Sequence, residues 1–261
     1  STGVEARHTT GFPAPNSLSA SATLRIDHWV ESGSIVSPFF DPMLAKVIVH
    51  AEDRSRAINA LDRTLADTVL EGIETNTAYV REILYSDVMQ QGNMYTRFLN
   101  GFRHSPATLD VLVPGTMTSV QDFPGRTGYW HIGVPPSGPF DSLSFRLGNR
   151  LLGNDENAAG LEITLNGPTL RFNCDTHIAL TGATMAATLD GAALKPWQSH
   201  AVKAGQTLTL GKVQAAGARA YLCVAGGFQC ENYLGSKSTF TLGQFGGHGG
   251  RALRTGDVLH L

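Results

Sequence analysis

The chain has 261 residues, of which 42% are hydrophobic and 16% charged, and its formal net charge is −2. This composition is typical of a globular protein with a buried core, and the length allows one large domain or two of ordinary size. The near-neutral charge excludes the basic footprint of a nucleic-acid-binding or membrane-surface protein. No apolar run approaches the roughly 20 residues of a membrane span, and no secretory signal is visible. Because the chain begins with Ser1 and not with Met, we expect a truncated or excised piece.

Two strands are predicted near the start of the chain. Residues 1–20 contain two prolines and no periodic apolar pattern, which indicates a loop. Residues 24–30 and 45–50 are rich in β-branched side chains and predict strands. Pro38 and Pro42 force a loop between them.

Helical spacing of apolar residues follows these strands. A first helix is predicted from a cap at Asp53 or Ser55 to about residue 68, and a second begins after a cap at Thr75. A third, short helix is expected to carry the apolar residues Tyr95, Phe98, Leu99 and Phe102. The order strand, strand, helix, helix predicts an α+β unit.

The pattern fails around residues 101–108, so we place a domain boundary there and predict domains at 1–104 and 109–261. The second domain has turn dipeptides at short intervals, including a hairpin at Asp190-Gly191. Six short strands are predicted between these turns, at 170–173, 177–181, 185–189, 201–203, 207–210 and 219–225. Many short strands with one helix imply a β-barrel or a β-sandwich.

The helix that interrupts these strands is predicted to start at Asp141 or Ser142 and to stop at Gly153. Its apolar stripe, which should face the core, consists of Leu143, Leu147 and Leu151.

The three cysteines are Cys174, Cys223 and Cys230, and their spacing matches no zinc or redox motif. Cys223 stands in an apolar run and is expected to be a buried, inert thiol. These thiols fit a reducing, cytoplasmic compartment. No His, Cys, Asp or Glu cluster has metal-ligand spacing, so no metal site is predicted.

Two sets of motifs resemble known families. The first set comprises LRIDHWV at 24–30, SPFFDPMLAK at 37–46 and GIETN at 72–76. It resembles the C-terminal subdomain of biotin carboxylases, above all the urea carboxylase version, over about residues 22–104.

The second set comprises VQDFPGRTGYW at 120–130, GVPPSGPFDS at 133–142, LEITLNGP at 161–168 and GGHGGR at 246–251. It resembles the first half of the carboxyltransferase domain of urea carboxylase. Allophanate hydrolase subunit 2-like proteins, including one of the 5-oxoprolinase subunits, are similar. The family more often has Met where Phe140 stands and Ala where Gly148 stands. Glycine at position 148 should weaken the helix by about 1 kcal/mol relative to alanine.

Both sets on one chain, in this order, point to urea carboxylase, a biotin-dependent ligase. The resemblance implies a biotin carboxylase C-terminal α+β subdomain followed by a mainly-β cyclophilin-like barrel. It also implies that the full enzyme converts urea to allophanate through carboxybiotin, with biotin, ATP and Mg²⁺ as cofactors. Urea, bicarbonate and the carboxybiotin carrier domain are the expected partners, in a homo-oligomer, without nucleic acid or membrane.

By this resemblance Arg25 is the catalytic residue of the first domain. Its guanidinium would stabilise negative charge on the ureido oxygen of biotin and help hold bicarbonate. A surface Arg paired with Asp27 or Glu31 is the alternative. Asp41 and Lys46 could orient the Arg25 strand through a salt bridge.

In the second domain, residues 137–142 form a loop that leads into a helix amino terminus, where N–H groups suit an oxygen anion. We expect Ser137, Gly138 and Asp141 to bind substrate there, and simple helix capping by Asp141 is the alternative.

A glycine run and a polar turn complete the expected site. Backbone can approach a ligand closely at Gly246, Gly247 and His248, although a tight turn explains the same run. The polar turn, expected to line the same mouth, contains Gln121, Asp122 and Arg126. Tyr129 and Trp130 are interpreted as core residues in preference to a biotin platform.

The 261 residues contain no glycine-rich ATP-grasp loop and no Ala-Met-Lys-Met biotinylation site. We therefore expect the ATP core, the biotin carrier and the second carboxyltransferase half to lie outside this chain, which should be inactive alone. Three rival functions stay open: a carboxylase of guanidine or another small amide, a non-catalytic binding protein of the allophanate hydrolase subunit 2-like kind, and 5-oxoproline hydrolysis with partner subunits and no biotin.

Overall fold

The computed structural model describes residues 4–5, 12–13, 22–31, 33–37, 39, 41–68, 70 and 73–261. The chain divides into two compact units, Ser1–His104 and Ser105–Leu261. Helices and strands both contribute to the fold. None of the helices in the described ranges is long and apolar enough to cross a membrane. Pro38, Phe40 and Gly72, which belong to the motifs above, lie outside the described residues, as does most of the loop predicted over residues 1–20.

The described part of the first unit contains β1 (Val4–Glu5), β2 (Ala22–His28), β3 (Ile35–Val36), β4 (Ala45–Ala51), α1 (Arg54–Ala66), α2 (Thr77–Leu84), α3 (Asp87–Gln91) and a 3₁₀ turn (Phe98–Asn100). Strands β2 and β4 pair antiparallel along their whole length, and β1 pairs with β3. The two long strands are those that the sequence predicted.

Helix α1 begins where one of the two predicted caps places it. Asp53 is the cap, because its Oδ1 accepts the N–H of Arg56 at 2.8 Å. The helix buries Ile58 and is joined to α2 by Asp62, whose carboxylate accepts Arg81 Nε at 2.6 Å and the Tyr85 hydroxyl at 2.7 Å. The hydrogen bond from Arg81 lowers the pKa of Asp62 and keeps the carboxylate charged.

Two predictions for this unit were wrong. Asn76, and not Thr75, directly precedes α2, although Thr75 Oγ1 does accept the N–H of Thr77, the first residue of the helix, at 3.5 Å. The expected helix over residues 95–102 is only a 3₁₀ turn at Phe98–Asn100, although the Phe98 and Phe102 rings do pack together, with their centres 5.5 Å apart. The short helix α3, capped by Ser86, was not predicted.

The second unit, described throughout, contains β5 (Thr108–Val113), β6 (Met117–Gln121), a 3₁₀ turn (Trp130–Ile132), α4 (Ser142–Leu151), β7 (Gly160–Thr164), β8 (Thr169–Phe172), β9 (Thr176–Gly182), β10 (Met185–Leu189), β11 (Ala192–Ala193), β12 (Ser199–Val202), β13 (Thr207–Val213), β14 (Arg219–Val224) and β15 (Val258–His260). All six strands predicted from the turn spacing are present, in β8, β9, β10, β12, β13 and β14. Asp190 and Gly191 form the predicted hairpin, with φ angles of 48° and 83° that suit a two-residue turn.

These strands form two antiparallel sheets. One has the order β11-β10-β13-β8-β5-β15 and the other β12-β9-β14-β7-β6. A single core lies between them, with residues from both sheets such as Leu109, Phe172, Leu161 and Leu222 fully buried. The strand pairings describe two open sheets, so the architecture is a mixed α and β fold with a sandwich core, and the cyclophilin-like barrel is not confirmed.

Helix α4 lies over β9 and β14, but the predicted apolar stripe was wrong. Leu143 is 63% exposed, and the other two leucines of the stripe are also exposed. The buried side comprises Ser144, Phe145, Gly148 and Asn149: Phe145 is fully buried against Tyr221, Thr181 Oγ1 donates to the carbonyl of Ser144 at 2.8 Å, and Gly148 contacts the sheet directly. At Gly148 the lack of a side chain lets the helix approach the sheet closely.

Changing Gly148 to Ala tests this packing. An added Cβ would lie 2.9 Å from Cys223 Sγ and 3.0 Å from Thr181 Oγ1. We expect overpacking to cancel the helix-propensity gain of about 1 kcal/mol and to lower the free energy of unfolding by about 1 kcal/mol. Urea denaturation measures it. A Cys223→Ala background removes the contact with Sγ and leaves the one with Thr181 Oγ1, so the same change should cost less there. Equal effects in both backgrounds would contradict the contact with Cys223.

Candidate functional site

Arg25 lies on β2 of the first unit with its side chain 72% exposed. Its Nε and Nη2 donate to the two carboxylate oxygens of Asp27 at 2.9 and 2.8 Å. The surface pairing with Asp27, which the sequence left open, is thus present. The described residues contain no ion pair between Asp41 and Lys46, so that expectation was wrong; Asp41 instead accepts the N–H of Met43 at 2.8 Å.

The predicted polar turn of the second unit is built around the buried carboxylate of Asp122, at the end of β6. Its Oδ1 accepts the hydroxyls of Ser236 and Ser238 at 2.5 and 2.6 Å. Its Oδ2 accepts the backbone N–H of Lys237 at 2.8 Å. The backbone N–H of Asp122 in turn donates to Ser238 Oγ at 3.0 Å. A residue 8% exposed therefore fastens β6 to a segment more than 110 positions later.

Arg126 fastens the same segment through its carbonyls. The side chain is fully buried, and its guanidinium donates to the backbone oxygens of Tyr233, Ser236 and Ser238 at 2.9, 3.3 and 2.9 Å. Its face lies 4.8 Å from the ring centre of Phe245. Burial lowers the pKa of Arg126, and the negative charge of Asp122 opposes that effect.

The polar turn also holds the loop before α4. Gln121 Oε1 accepts the N–H of Gly138 at 3.0 Å, and the N–H of Arg126 donates to the carbonyl of Pro136 at 2.6 Å. Ser137 and Gly138 have φ angles of 57° and 82°, a left-handed stretch that this anchoring maintains.

Asp141 caps α4, which is the alternative that the sequence left open: Oδ1 accepts the N–H of Ser144 at 3.1 Å. Two residues that the sequence argument missed fix the loop beside it. The Tyr221 hydroxyl accepts the N–H of Asp141 at 2.7 Å and donates to Glu162 Oε2 at 3.0 Å. Glu162 Oε2 also accepts the N–H of Phe140 at 2.7 Å. An acidic residue between the buried Leu161 and Ile163 was the available signal.

The glycine run divides between two environments. Gly246 and Gly247 are buried, and the N–H of Gly247 donates to the carbonyl of Lys237 at 2.9 Å. A Cβ at Gly246 would lie 2.7 Å from Arg126 Nη2, so only glycine fits. His248 faces away from this network, with Nε2 at 3.5 Å from Asp257 Oδ1.

Asp257 also binds Arg251 in a two-point ion pair, at 2.7 and 2.8 Å. Burial alone would raise the pKa of Asp257, but the hydrogen bonds from Arg251 and His248 outweigh it and hold the pKa well below its usual range.

A polar cleft of about 630 Å³ opens beside the polar turn, within the usual size of a small-molecule site. Its lining comprises Asp122, Phe123, Pro124, Gly153, Asn154, Asp155, Asn157, Ala158, Gly226, Asn232, Gly235 and Lys237. Of the site residues predicted from the sequence, Asp122 is the one that lines this cleft. Arg126 is too deeply buried to line a mouth, and Trp130, expected in the core, is 72% exposed. No group of three metal-ligating side chains occurs among the residues described.

The structure therefore joins Gln121, Asp122, Arg126, Gly138, Gly246 and Gly247 in one network, and Ser137 lies in the anchored loop. Asp141 and His248 lie at its borders, and Arg25 belongs to the other unit. The sequence argument missed the Ser236–Lys237–Ser238 tripeptide; two hydroxyls around a lysine after a glycine were the signal.

Comparison with known proteins identifies both units. Residues 9–101 match the biotin carboxylase C-terminal domain, and residues 132–261 match the carboxyltransferase domain, subdomain A and B. Both are domains of biotin-dependent carboxylases.

The relatives narrow this class. Urea amidolyase of Saccharomyces cerevisiae is 48% identical over 91% of this chain, which spans 13% of that protein. The crystal structure of Kluyveromyces lactis urea carboxylase is 45% identical with a TM-score of 0.85, over 99% of this chain and 22% of that one. A 5-oxoprolinase subunit of Escherichia coli is 43% identical over 59% of this chain and 49% of its own length. The chain belongs to the urea carboxylase and urea amidolyase family.

Removing the charge of Asp122 should loosen the network. In Asp122→Asn an NH₂ group, which cannot accept, replaces either Oδ1, which faces two serine hydroxyls, or Oδ2, which faces the N–H of Lys237, so we expect a loss of about 2 kcal/mol in the free energy of unfolding. Asp155→Asn, at an exposed carboxylate of the same cleft, should change it by less than about 0.5 kcal/mol. Chemical denaturation measures the free energy of unfolding of both variants. Equal losses would show that Asp122 contributes no more to stability than the exposed Asp155.

The Asp257 ion pair predicts a pH dependence. Because the pKa of Asp257 is depressed in the folded protein, its stabilisation is full above the unfolded value near 4 and is lost as the pH falls through the folded value. At about pH 7, Asp257→Asn should cost about 3 kcal/mol in the free energy of unfolding. The difference from wild type should shrink at about pH 3, where the unfolded chain takes up the proton. A pH-independent difference in urea-denaturation midpoints would contradict this pairing.

Proposed function

We propose that this chain is part of an ATP-dependent urea carboxylase, which carboxylates urea to allophanate via carboxybiotin. The carrying observation is the 48% identity to urea amidolyase over 91% of the chain, with two carboxylase domains matched in order. In this proposal, residues 1–104 are the biotin carboxylase C-terminal subdomain. Residues 109–261 are the first, cyclophilin-like half of the carboxyltransferase domain.

The residues present suit a small, planar ligand such as the biotin ring. The cleft is large enough, and it is lined by one ammonium, two carboxylates and three side-chain amides. Biotin supplies the carrier for the carboxyl group, while this chain's residues bind, orient and exclude water. ATP, Mg²⁺ and the covalent biotin belong to segments other than these 261 residues, in a cytoplasmic homo-oligomer that also uses bicarbonate.

Arg25 is the proposed catalytic residue of the first unit. Its bidentate pairing with Asp27 fixes the plane of the guanidinium, and among the described residues its remaining N–H groups form no further hydrogen bond. A guanidinium oriented in this way can stabilise negative charge that develops on a ureido oxygen. Gln121, Asp122, Arg126, Ser137, Gly138, Asp141, Gly246, Gly247 and His248 are the proposed carboxyltransferase site residues.

The likeness to a 5-oxoprolinase subunit favours a second candidate, in which the second unit takes part in 5-oxoproline hydrolysis with partner subunits and without biotin. Streptavidin blotting of the full-length product separates the two, because an unbiotinylated protein would exclude the carboxylase. Comparison of kcat/KM for urea and guanidine then assigns the substrate, since the carboxylase of either amide would share these domains.

The role of Arg25 predicts a selective loss. In the full-length protein, Arg25→Ala should slow bicarbonate-dependent ATP cleavage about 10²-fold, because a fixed charge is lost from the transition state. Arg56→Gln is the matched control, since Arg56 is an exposed arginine of the same unit that pairs with Glu52 and Asp53. Coupled assays of ADP release measure both. Equal rates in the two variants would leave Arg25 as the surface residue that its pairing also permits.

The isolated 261 residues should hydrolyse no ATP in response to urea. The reason is that they lack an ATP-grasp loop and a biotinylation site. A phosphate-release assay with and without urea measures this hydrolysis. Urea-dependent hydrolysis by the isolated chain would contradict the proposal that ATP and biotin are bound by other segments of the protein.

A further inference from the structure

Lys237 is the centre of the tripeptide that the whole polar network holds. Its N–H donates to Asp122 Oδ2, and its carbonyl accepts the N–H of Gly247. Both flanking serines are held twice, through their hydroxyls by Asp122 and through their carbonyls by Arg126. The backbone on each side of Lys237 is therefore locked. Burying this many polar groups costs free energy. That cost has a reason if the network serves to position the side chain of Lys237.

The side chain of Lys237 retains most of its hydrogen-bonding capacity. Its Nζ lies 3.4 Å from the carbonyl oxygen of Phe228, a long contact that uses one of three N–H groups. Across the described residues it forms no ion pair, although Lys203 of the same unit pairs with Asp175 at 2.7 Å. Lys237 is also the one cation that lines the polar cleft in the described part of the chain.

Asn154, another residue of the cleft lining, is also held in place. The side chain of Asn154 donates to Asn149 Oδ1 and to the carbonyl of Val224, and it accepts the N–H of Gly226. Asp155, next along the chain, is an exposed carboxylate that lines the cleft and forms no ion pair within the residues that the structure describes. A cation and an acceptor with unused capacity thus line a preformed cleft.

We propose that Lys237 binds the oxygen of a planar ureido group in this cleft, with Asp155 available to the ureido N–H groups. The proposal rests on the proposed function, because urea and biotin both carry this group. An ammonium fixed beside the oxygen would stabilise the negative charge that develops there when the carboxyl group moves. Asp122 and Arg126 then act as positioning residues for Lys237 and do not themselves touch substrate.

Lysine footprinting tests the binding directly. The 261-residue chain is acetylated at its amines with and without millimolar biotin methyl ester or urea, and mass spectrometry follows each lysine. We expect one of the probes to slow acetylation of Lys237 about threefold, as partial occupancy would. Lys203 should react at an unchanged rate. Protection by biotin methyl ester or by urea identifies which ureido source the site takes. Unchanged acetylation of Lys237 with both probes overturns the proposal.

Activity of the full-length protein supplies the second test. Lys237→Gln should lower urea carboxylation about 10²-fold, and Lys237→Arg, which keeps a cation, should restore part of it. Bicarbonate-dependent ATP cleavage should stay within about twofold in both, because the network lies in the second unit. Lys203→Gln is the matched control and should match wild type.

Two results would contradict the inference. Urea carboxylation by Lys237→Gln within about threefold of wild type would remove the role, and equal loss of both partial reactions would show a purely structural residue. Failure of the proposed function is distinguishable, since it would appear as a wild-type protein that forms no allophanate, whatever the footprint shows.

Discussion

The carboxylate of Asp122 is the constraint on which the second unit's site depends. A buried charge costs several kcal/mol unless it is paired or fully hydrogen-bonded. Here two hydroxyls and one N–H satisfy it, and all three come from one tripeptide. The guanidinium of Arg126, fully buried nearby, draws on the carbonyls of the same segment. Each charge is tolerable only while that segment stays in place, so the network and the cleft form together.

This arrangement changes how the polar motif is interpreted. The residue types at 121–126 suggest direct substrate contacts, since Gln, Asp and Arg are common ligands for a urea-like molecule. In the structure they bind other parts of the chain: Gln121 holds the loop at Gly138, and Asp122 and Arg126 hold the backbone around Lys237. The groups with unused capacity lie next to them, at the cleft. Residues 121–126 therefore position the site, and Lys237 is the side chain that we propose contacts the ligand.

The sequence predicted local structure well where a local signal decides it. Strands β2 and β4, the Asp53 cap and the Asp190-Gly191 turn depend on short-range patterns, and all were predicted. The family was recognised from motifs in both units. Prediction failed where tertiary packing decides. Helix α4 buries Ser144, Phe145 and Gly148 in place of its leucines, because tertiary contacts decide which face packs on the sheet: Gly148 approaches Cys223 and Thr181, and the Phe145 ring packs on Tyr221. Lys237 could not be found from spacing, since Asp122, which accepts its N–H, and Arg126, which binds the carbonyl of its neighbour Ser238, are more than 110 positions away in the chain.

Asp122 and Arg126 together should hold the backbone at Lys237 in one conformation. Amide hydrogen exchange at the Lys237 N–H measures this most directly, because that group donates to the Asp122 carboxylate. We expect the Lys237 N–H to exchange slowly, at a rate close to that of the β14 amides. In Arg126→Lys its exchange rate should rise at least about tenfold. Exchange as fast as that of the exposed turn at Gly191, or no change in the variant, would contradict it.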